Sequence, residues 1–159
     1  MKYLKLIRFE NLISMVLIQY LIRYSLIIPT FGQENIVGNI DFCFLVFSMI
    51  LVAAGAYVIN DYFDIQVDKE NCNKKVLVGR SIKRRIALIL HILFTSHGLI
   101  LGTYMSFKLK YPIIAIVLIL SAYLLWQYSL HIKRQLFKGN LLVAILSALF
   151  VFSLASIEL

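Results

Sequence analysis

Hydrophobic and polar positions fall in long blocks along the chain, not in the short periods of amphipathic helices or strands. Five apolar blocks occupy residues 12–28, 42–59, 86–107, 112–130 and 141–157. Because a helix needs roughly 20 apolar residues to cross a bilayer, each block predicts a membrane-spanning helix. No stretch shows the alternation of apolar and polar residues that would predict a strand. The pattern therefore predicts an all-α, polytopic membrane protein with about five transmembrane helices in a single transmembrane domain, residues 1–159.

Composition supports this prediction, since 61% of the residues are hydrophobic and the mean hydropathy is +0.86, whereas soluble domains are about half apolar. A net charge of +8 would suit nucleic acid binding in a soluble protein. Here, however, thirteen of the sixteen basic residues precede the first span or lie in the loops after the second and fourth spans. The positive-inside rule then places the N-terminus and both basic loops in the cytoplasm. We expect a multi-pass protein of a cell membrane, the inner membrane of a bacterium, that contacts membrane lipid and no nucleic acid.

A few polar residues interrupt the apolar blocks. Arg23 lies within the first span, and we expect its long side chain to snorkel to the far interface. His91 and His97 lie within the third span, and we expect both to be packed or hydrogen-bonded inside the helix bundle.

Acidic and amide side chains follow the second span in the stretch "INDYFDIQVD". Asn60, Asp64 and Asp68 are four residues apart, so a continued helix would place them on one stripe. Like charges at this spacing repel, more so near hydrocarbon. A bound Mg²⁺ ion, which prefers oxygen ligands and also binds phosphates, is the simplest way to offset this repulsion. Nearby Arg and Lys side chains could then contact the phosphate. The alternative is a solvated helix end whose acids balance neighbouring lysines.

Four stretches resemble one family in the same order. "NDYFDIQVD" fits the NDxxDxxxD form of the first aspartate-rich motif of the UbiA family of intramembrane prenyltransferases. "NKKVLVGRSIKRR" resembles the segment that follows it in the family, although Lys75 stands where many members have proline. "YSLHIKRQLFKGNLLVA" is similar to the family's second cytoplasmic loop, and "LKLIRFENLI" to its opening helix.

The resemblance implies a site in which Mg²⁺ bridges the protein and an isoprenyl diphosphate. The metal-binding residues it implies are Asn60, Asp61, Asp64 and Asp68, and the catalytic pair is Asp64 and Asp68. The diphosphate contacts it implies are Arg80, Tyr128, Lys133 and Asn11.

Each implied diphosphate contact has an ordinary alternative. Arg80 could face anionic lipid, and Tyr128 could be an interfacial aromatic residue. Lys133 could be a topology signal alone, and Asn11 could cap a helix.

The resemblance also implies a nine-helix bundle with a second aspartate-rich motif, whereas Glu70 and Glu158 are the only acids after Asp68. We therefore interpret residues 1–159 as the N-terminal portion of such a prenyltransferase: a fragment, an inactive truncated product, or one half completed by a second chain. The expected reaction is prenyl transfer to a lipid or aromatic acceptor. The sequences of these motifs are most similar to those of members that act on geranylgeranylglycerol phosphate. The alternative is a non-catalytic membrane subunit whose basic loops bind anionic lipid.

Overall fold

The computed structural model describes residues 1–31, 37–65 and 77–158, and every regular element in these ranges is helical. The chain begins with α1 (Lys2–Leu6) and α2 (Phe9–Ile22), which continues through a π-helical segment (Arg23–Ile27) into α3 (Ile28–Phe31). The longer helices are α4 (Asn39–Phe63), α5 (Arg84–Leu109), α6 (Pro112–Leu130) and α7 (Leu136–Glu158), with a 3₁₀ turn (Ile132–Arg134) before α7. The all-α prediction is confirmed.

Five stretches in the described part of the chain are long and apolar enough to cross a membrane: Phe9–Thr30, Asn39–Phe63, Arg84–Leu109, Pro112–Leu130 and Phe137–Ile157. They coincide with the five predicted apolar blocks. The second helix extends beyond its apolar block and ends at Phe63, so Asn60 and Asp61 belong to α4 itself.

α4 is the central helix of the bundle. In its most apolar window 61% of the residues are buried, against 22% to 28% in the other spans. Its buried side chains Phe42, Leu45 and Met49 belong to one core cluster with Leu118 of α6 and Phe150 of α7. Burial of α4 on several sides fixes the position of its polar C-terminal end.

Glycines allow α4 and α5 to approach closely. A methyl group on Gly98 of α5 would lie 2.8 Å from the backbone oxygen of Ser48. A methyl group on Gly55 of α4 would lie 2.3 Å from Thr95 Oγ1 of α5. Small residues at helix crossings are typical of membrane bundles, where van der Waals packing drives association.

α1 and the turn before α5 cover one end of the bundle. Gly79 adopts a φ of +94° in this turn, a conformation that glycine takes without strain. Val78 and Ile82 on either side of it are buried in a cluster with Leu6 of α1. The Lys2 ammonium donates a hydrogen bond to the Ser81 carbonyl at 3.3 Å. α1 is thereby attached to the end at which α4 finishes.

Arg23 reaches toward the far end of the bundle, as predicted, but the expectation that its charge is exposed at the interface is wrong. Its side chain is 1% exposed, and its guanidinium donates to the Val37 carbonyl and lies 4.2 Å from the centroid of the Phe42 ring. A carbonyl acceptor and a cation–π contact compensate the buried charge inside the bundle. At this same far end, Lys108 pairs with Asp41 at 2.6 Å.

Candidate functional site

Asn60, Asp64 and Lys133 meet at the end of α4. The Asp64 N–H donates to the Asn60 carbonyl at 3.1 Å, so the two side chains are one helical turn apart. The Lys133 ammonium donates to the Asp64 carboxylate and, at 3.4 Å, to Asn60 Oδ1. Asp64 follows the C-terminus of α4, where the helix dipole disfavours a negative charge. The ammonium offsets this, and the side chains of Lys133 and Asp64 are only 14% and 23% exposed.

Gly139 packs closely against the turn that contains Lys133. A methyl group on Gly139, in the first turns of α7, would lie 3.3 Å from both Lys133 Cα and Tyr128 Cε2. The absence of a side chain therefore allows α7 to pack directly against the 3₁₀ turn and the Tyr128 ring. Gly139 thus has a geometric role beside the candidate site.

A second polar group lies one stripe away on α4, around Tyr57 and Asp61. The Arg8 guanidinium is 4.9 Å from the centroid of the Tyr57 ring and donates to Asp61 Oδ1 at 3.4 Å. Asn11 Nδ2 donates to the Tyr57 hydroxyl at 3.4 Å. Arg8 was not among the predicted site residues. Two sequence signals could have indicated Arg8. One is its three-residue spacing from Asn11, and the other is the four-residue spacing of Tyr57 and Asp61 on α4.

A cavity of about 340 Å³ opens between these two polar groups. Five polar side chains line its mouth: Arg8, Asn11, Tyr57, Asn60 and Tyr128. Apolar side chains of α2, α4, α6 and α7 line the remainder: Met15, Ala53, Ala56, Leu125, Val143, Leu146 and Phe150, with Ser129 and Ser147 between them. Ligand sites commonly combine a mostly apolar lining with a few convergent polar groups. The cavity suits a molecule with a polar head and an apolar tail.

The structure brings most of the predicted site residues to this one end. Asn60, Tyr128 and Asn11 line the cavity mouth, and Lys133 and Asp64 form the adjoining pair. Arg8 is the N-cap of α2 and makes no side-chain cap bond, so the cavity interpretation of Asn11 fits better than the helix-cap alternative.

One predicted residue does not belong to this cluster, and another is not described by the structure. Arg80 is exposed in the turn that contains Gly79 and does not line the cavity. Asp68 lies outside the described residues.

The oxygen atoms at the end of α4 fit a divalent cation in chemical type. Asp61 and Asp64 supply carboxylates and Asn60 an amide oxygen, which are the hard ligands that Mg²⁺ takes. Among residues 1–31, 37–65 and 77–158, no three His, Cys, Asp or Glu side chains are grouped closely enough to hold a metal. The described donors would thus form part of a coordination shell, with phosphate oxygens and water completing it.

His91 of α5 is buried and hydrogen-bonded within the bundle, as expected, whereas the prediction is wrong for His97, which is exposed and contacts a carbonyl of its own helix. His91 Nδ1 donates to the Gly55 carbonyl at 2.9 Å, since a carbonyl oxygen only accepts. His97 Nδ1 is likewise 2.8 Å from the Leu93 carbonyl. The His91 ring also packs on Trp126, which contacts Phe63 at 5.9 Å between ring centroids. These contacts hold the end of α4 against α5 and α6.

Comparison with known proteins places the chain in a family. Residues 25–157 match the model of the UbiA prenyltransferase family. A digeranylgeranylglyceryl phosphate synthase of Ignicoccus hospitalis is 33% identical over 150 residues, which are 92% of this chain and 44% of that protein. Proteins of the same name from Sulfurisphaera tokodaii (38% over 111 residues, 68% of this chain and 38% of that protein) and Hyperthermus butylicus (32% over 148 residues, 91% and 46%) are also similar.

No solved structure matches the chain. The chain spans less than half the length of these curated relatives. The match to the family model nevertheless extends over most of the chain, from the first span to the fifth. The chain belongs to the UbiA prenyltransferase family.

Proposed function

We propose that this chain binds an isoprenyl diphosphate at the polar end of the bundle and serves prenyl transfer to a lipid acceptor that carries a glycerol phosphate. The observation that carries the proposal is the arrangement of Asn60, Asp64 and Lys133 beside a cavity whose mouth is polar and whose remainder is apolar. The names of the similar relatives support the choice of acceptor.

The polar head would be held from two sides. Asn60, Asp61 and Asp64, together with Asp68 outside the described residues, are proposed to hold Mg²⁺ bound to the diphosphate. When bound, Mg²⁺ supplies Lewis-acid stabilisation of the departing diphosphate. Lys133 and Tyr128 are proposed to donate to the outer phosphate oxygens, since ammonium-to-phosphate bonds are among the stronger hydrogen bonds.

The apolar lining would hold the isoprenoid tail and exclude water from the reacting carbon. In the proposed transfer, the allylic C–O bond to the diphosphate breaks and its electron pair leaves with the diphosphate. An oxygen of the acceptor hydroxyl forms the new C–O bond and loses its proton. Asn11, at the cavity mouth, is proposed to orient the substrates through its amide. Arg80 remains a prediction from the resemblance.

The proposed orientation places the polar end at the cytoplasmic face. Arg8, Arg80, Arg84 and Lys133 all belong to segments at this end, whereas Lys108 lies at the other. The positive-inside rule then places the site where water-exposed diphosphate head groups can enter. A bacterial inner membrane remains the predicted location.

The test is Mg²⁺-dependent retention of geranylgeranyl diphosphate by the purified chain in lipid nanodiscs. We expect retention with Mg²⁺ to exceed retention with EDTA, and the double change Asp64→Asn, Asp68→Asn to lower it at least about tenfold, because charge-assisted contacts contribute about 1.5–3 kcal/mol each. Lys133→Gln should also weaken retention. Binding is measured in place of turnover, because the chain matches less than half of each relative.

Matched controls come from the opposite end of the bundle. Asp41→Asn and Lys108→Gln remove one carboxylate and one ammonium from an ion pair that does not line the cavity. Neither change should alter retention. If the wild-type chain retains no diphosphate with Mg²⁺, or if the controls lower retention as much as the site variants do, the proposed function is wrong.

The alternative function is a non-catalytic membrane protein whose basic loops bind anionic lipid. The exposed side chains of Arg80, Lys83, Arg84 and Arg85 favour it, because clustered basic residues attract anionic headgroups. This alternative expects diphosphate binding to be independent of Mg²⁺ and insensitive to Asp64→Asn. The same retention assay therefore separates the two functions.

A further inference from the structure

Two cation–carboxylate pairs lie on adjacent stripes at the end of α4, and of their four residues Arg8 lines the cavity. One pair joins Lys133 to Asp64 and faces the turn between α6 and α7. The other joins Arg8 to Asp61 and faces the junction of α1 and α2. A transfer reaction between two phosphorylated lipids has to position two anionic head groups. Two separate cations at this end of the bundle would allow both to bind.

The backbone at Arg8 is strained in a way that its ion pair does not explain. Arg8 has a φ of 50° and a ψ of 56°, a left-handed conformation that is unfavourable for a residue with a side chain. Its contact with Asp61 is long, at 3.4 Å, and the two side chains are 45% and 21% exposed. Exposed ion pairs of this kind stabilise a fold only weakly. Strained backbone of this kind often occurs at ligand sites.

The left-handed turn at Arg8 directs its side chain over α4. The guanidinium lies over the Tyr57 ring, and Asn11, one turn into α2, bonds to the Tyr57 hydroxyl. All three side chains line the same cavity mouth. A guanidinium has five N–H donors in a planar fork that matches two oxygens of a phosphate. Its bond to Asp61 occupies one of these donors, and a partly exposed guanidinium at a cavity mouth remains accessible to a ligand.

We propose that Arg8, supported by Asn11 and Tyr57, binds the phosphate monoester of the acceptor lipid, while Lys133 and the end of α4 bind the donor diphosphate. This assignment rests on the proposed function and gives the acceptor a binding residue of its own. It separates the two head groups, which reduces their mutual repulsion. Arg8 therefore determines the preference for a phosphorylated acceptor over a neutral one.

The experiment compares hexadecylglycerol 3-phosphate with neutral hexadecylglycerol, each titrated onto the full chain in detergent micelles. The wild-type chain should bind the phosphate lipid at least about tenfold more tightly. Arg8→Gln should remove this preference, and it should weaken binding of the phosphate lipid more than it weakens Mg²⁺-dependent retention of geranylgeranyl diphosphate. Lys5→Gln, which removes an exposed charge from α1, should leave the preference intact.

Arg8→Gly distinguishes a ligand role from a structural one. Glycine tolerates a φ of 50° without strain, so this variant should melt at the same or a higher temperature and still lose the phosphate preference. The proposal is overturned if either Arg8 variant keeps the preference, or if both lower donor retention as much as acceptor binding. Absence of donor retention in the wild-type chain would instead refute the proposed function, and the lipid comparison would still decide the role of Arg8.

Discussion

The contact between α4 and α5 at Gly55 can be tested by a single methyl group. In Gly55→Ala, the new methyl would lie 2.3 Å from Thr95 Oγ1, 3.2 Å from Thr95 N and 3.3 Å from the His91 carbonyl oxygen. Either the hydroxyl moves or the helices separate, and overpacking of this kind costs about 1–3 kcal/mol. The helix propensity of alanine returns up to about 1 kcal/mol. Taking the middle of the overpacking range, about 2 kcal/mol, less the propensity gain, we expect a net destabilisation of about 1 kcal/mol, or a fall in melting temperature of about 2–4 °C.

Removing the obstructing hydroxyl should restore most of this stability. Thr95→Ala alone loses a 3.3 Å contact with His91 Nδ1 and should cost little. In the double variant the shortest contact disappears, and we expect a coupling energy of about 1 kcal/mol in favour of the pair. Gly98→Ala is the matched comparison, because its methyl would meet the Ser48 backbone oxygen at 2.8 Å. A clash with main-chain atoms cannot be relieved by changing Thr95.

The assay is thermal melting, followed by circular dichroism, of the three single variants and of the two double variants that combine Thr95→Ala with Gly55→Ala or Gly98→Ala, all in detergent micelles. If Gly55→Ala melts at the wild-type temperature, α4 and α5 do not approach as closely as the structure shows. If the Gly55→Ala, Thr95→Ala double variant melts no higher than the sum of the single effects, the Thr95 hydroxyl is not the obstacle. If Thr95→Ala also rescues Gly98→Ala, the rescue reflects general loosening of the bundle, not the local contact.

Three further outcomes follow from local contacts. Gly139→Val should weaken diphosphate retention about tenfold by displacing Lys133, because a lost bond to a charged group costs about 1.5–3 kcal/mol; unchanged retention would show that α7 does not position this turn. Phe150→Ala should lower the free energy of unfolding by about 3 kcal/mol, the low end for buried phenylalanine since Phe150 also borders the cavity; denaturant melts measure it. Lys108→Gln should leave the midpoint of the denaturant melt unchanged, since the side chains of Lys108 and Asp41 are 48% and 21% exposed and exposed ion pairs add little stability; a measurable shift in the same melts would contradict this.

The spans and the Asn60–Asp64 pair could be predicted because both depend on local sequence. Apolar blocks of sufficient length specify spans without knowledge of their neighbours, and a spacing of four residues specifies one stripe wherever α4 packs. The proximity of Lys133 to Asp64 required more, since 69 residues separate them in the chain. Resemblance to the family, not periodicity, supplied that expectation.

The position of Arg8 and the burial of Arg23 could not be predicted, because each depends on contacts between distant segments. Arg8 reaches Tyr57 through a left-handed backbone conformation, which no local preference of arginine indicates. Arg23 finds a carbonyl at Val37 and an aromatic ring at Phe42, both beyond the next connection. A long charged side chain within a span can place its charge in water at the interface or against polar and aromatic partners inside the bundle. The tertiary packing decides between these two positions.

The ion pair of Lys133 with Asp64 should couple the binding of diphosphate to the binding of Mg²⁺ at the proposed site. In the chain alone, the ammonium neutralises a carboxylate that the dipole of α4 disfavours. Oxygens of a diphosphate would compete for the same three donors of Lys133. Once the ammonium turns toward phosphate, Asp64 needs another cation, because a poorly solvated carboxylate without a counter-ion is costly. Diphosphate and Mg²⁺ should therefore bind together and only weakly apart, and by linkage each should strengthen the other equally. Equal retention of diphosphate with and without Mg²⁺ would contradict this coupling.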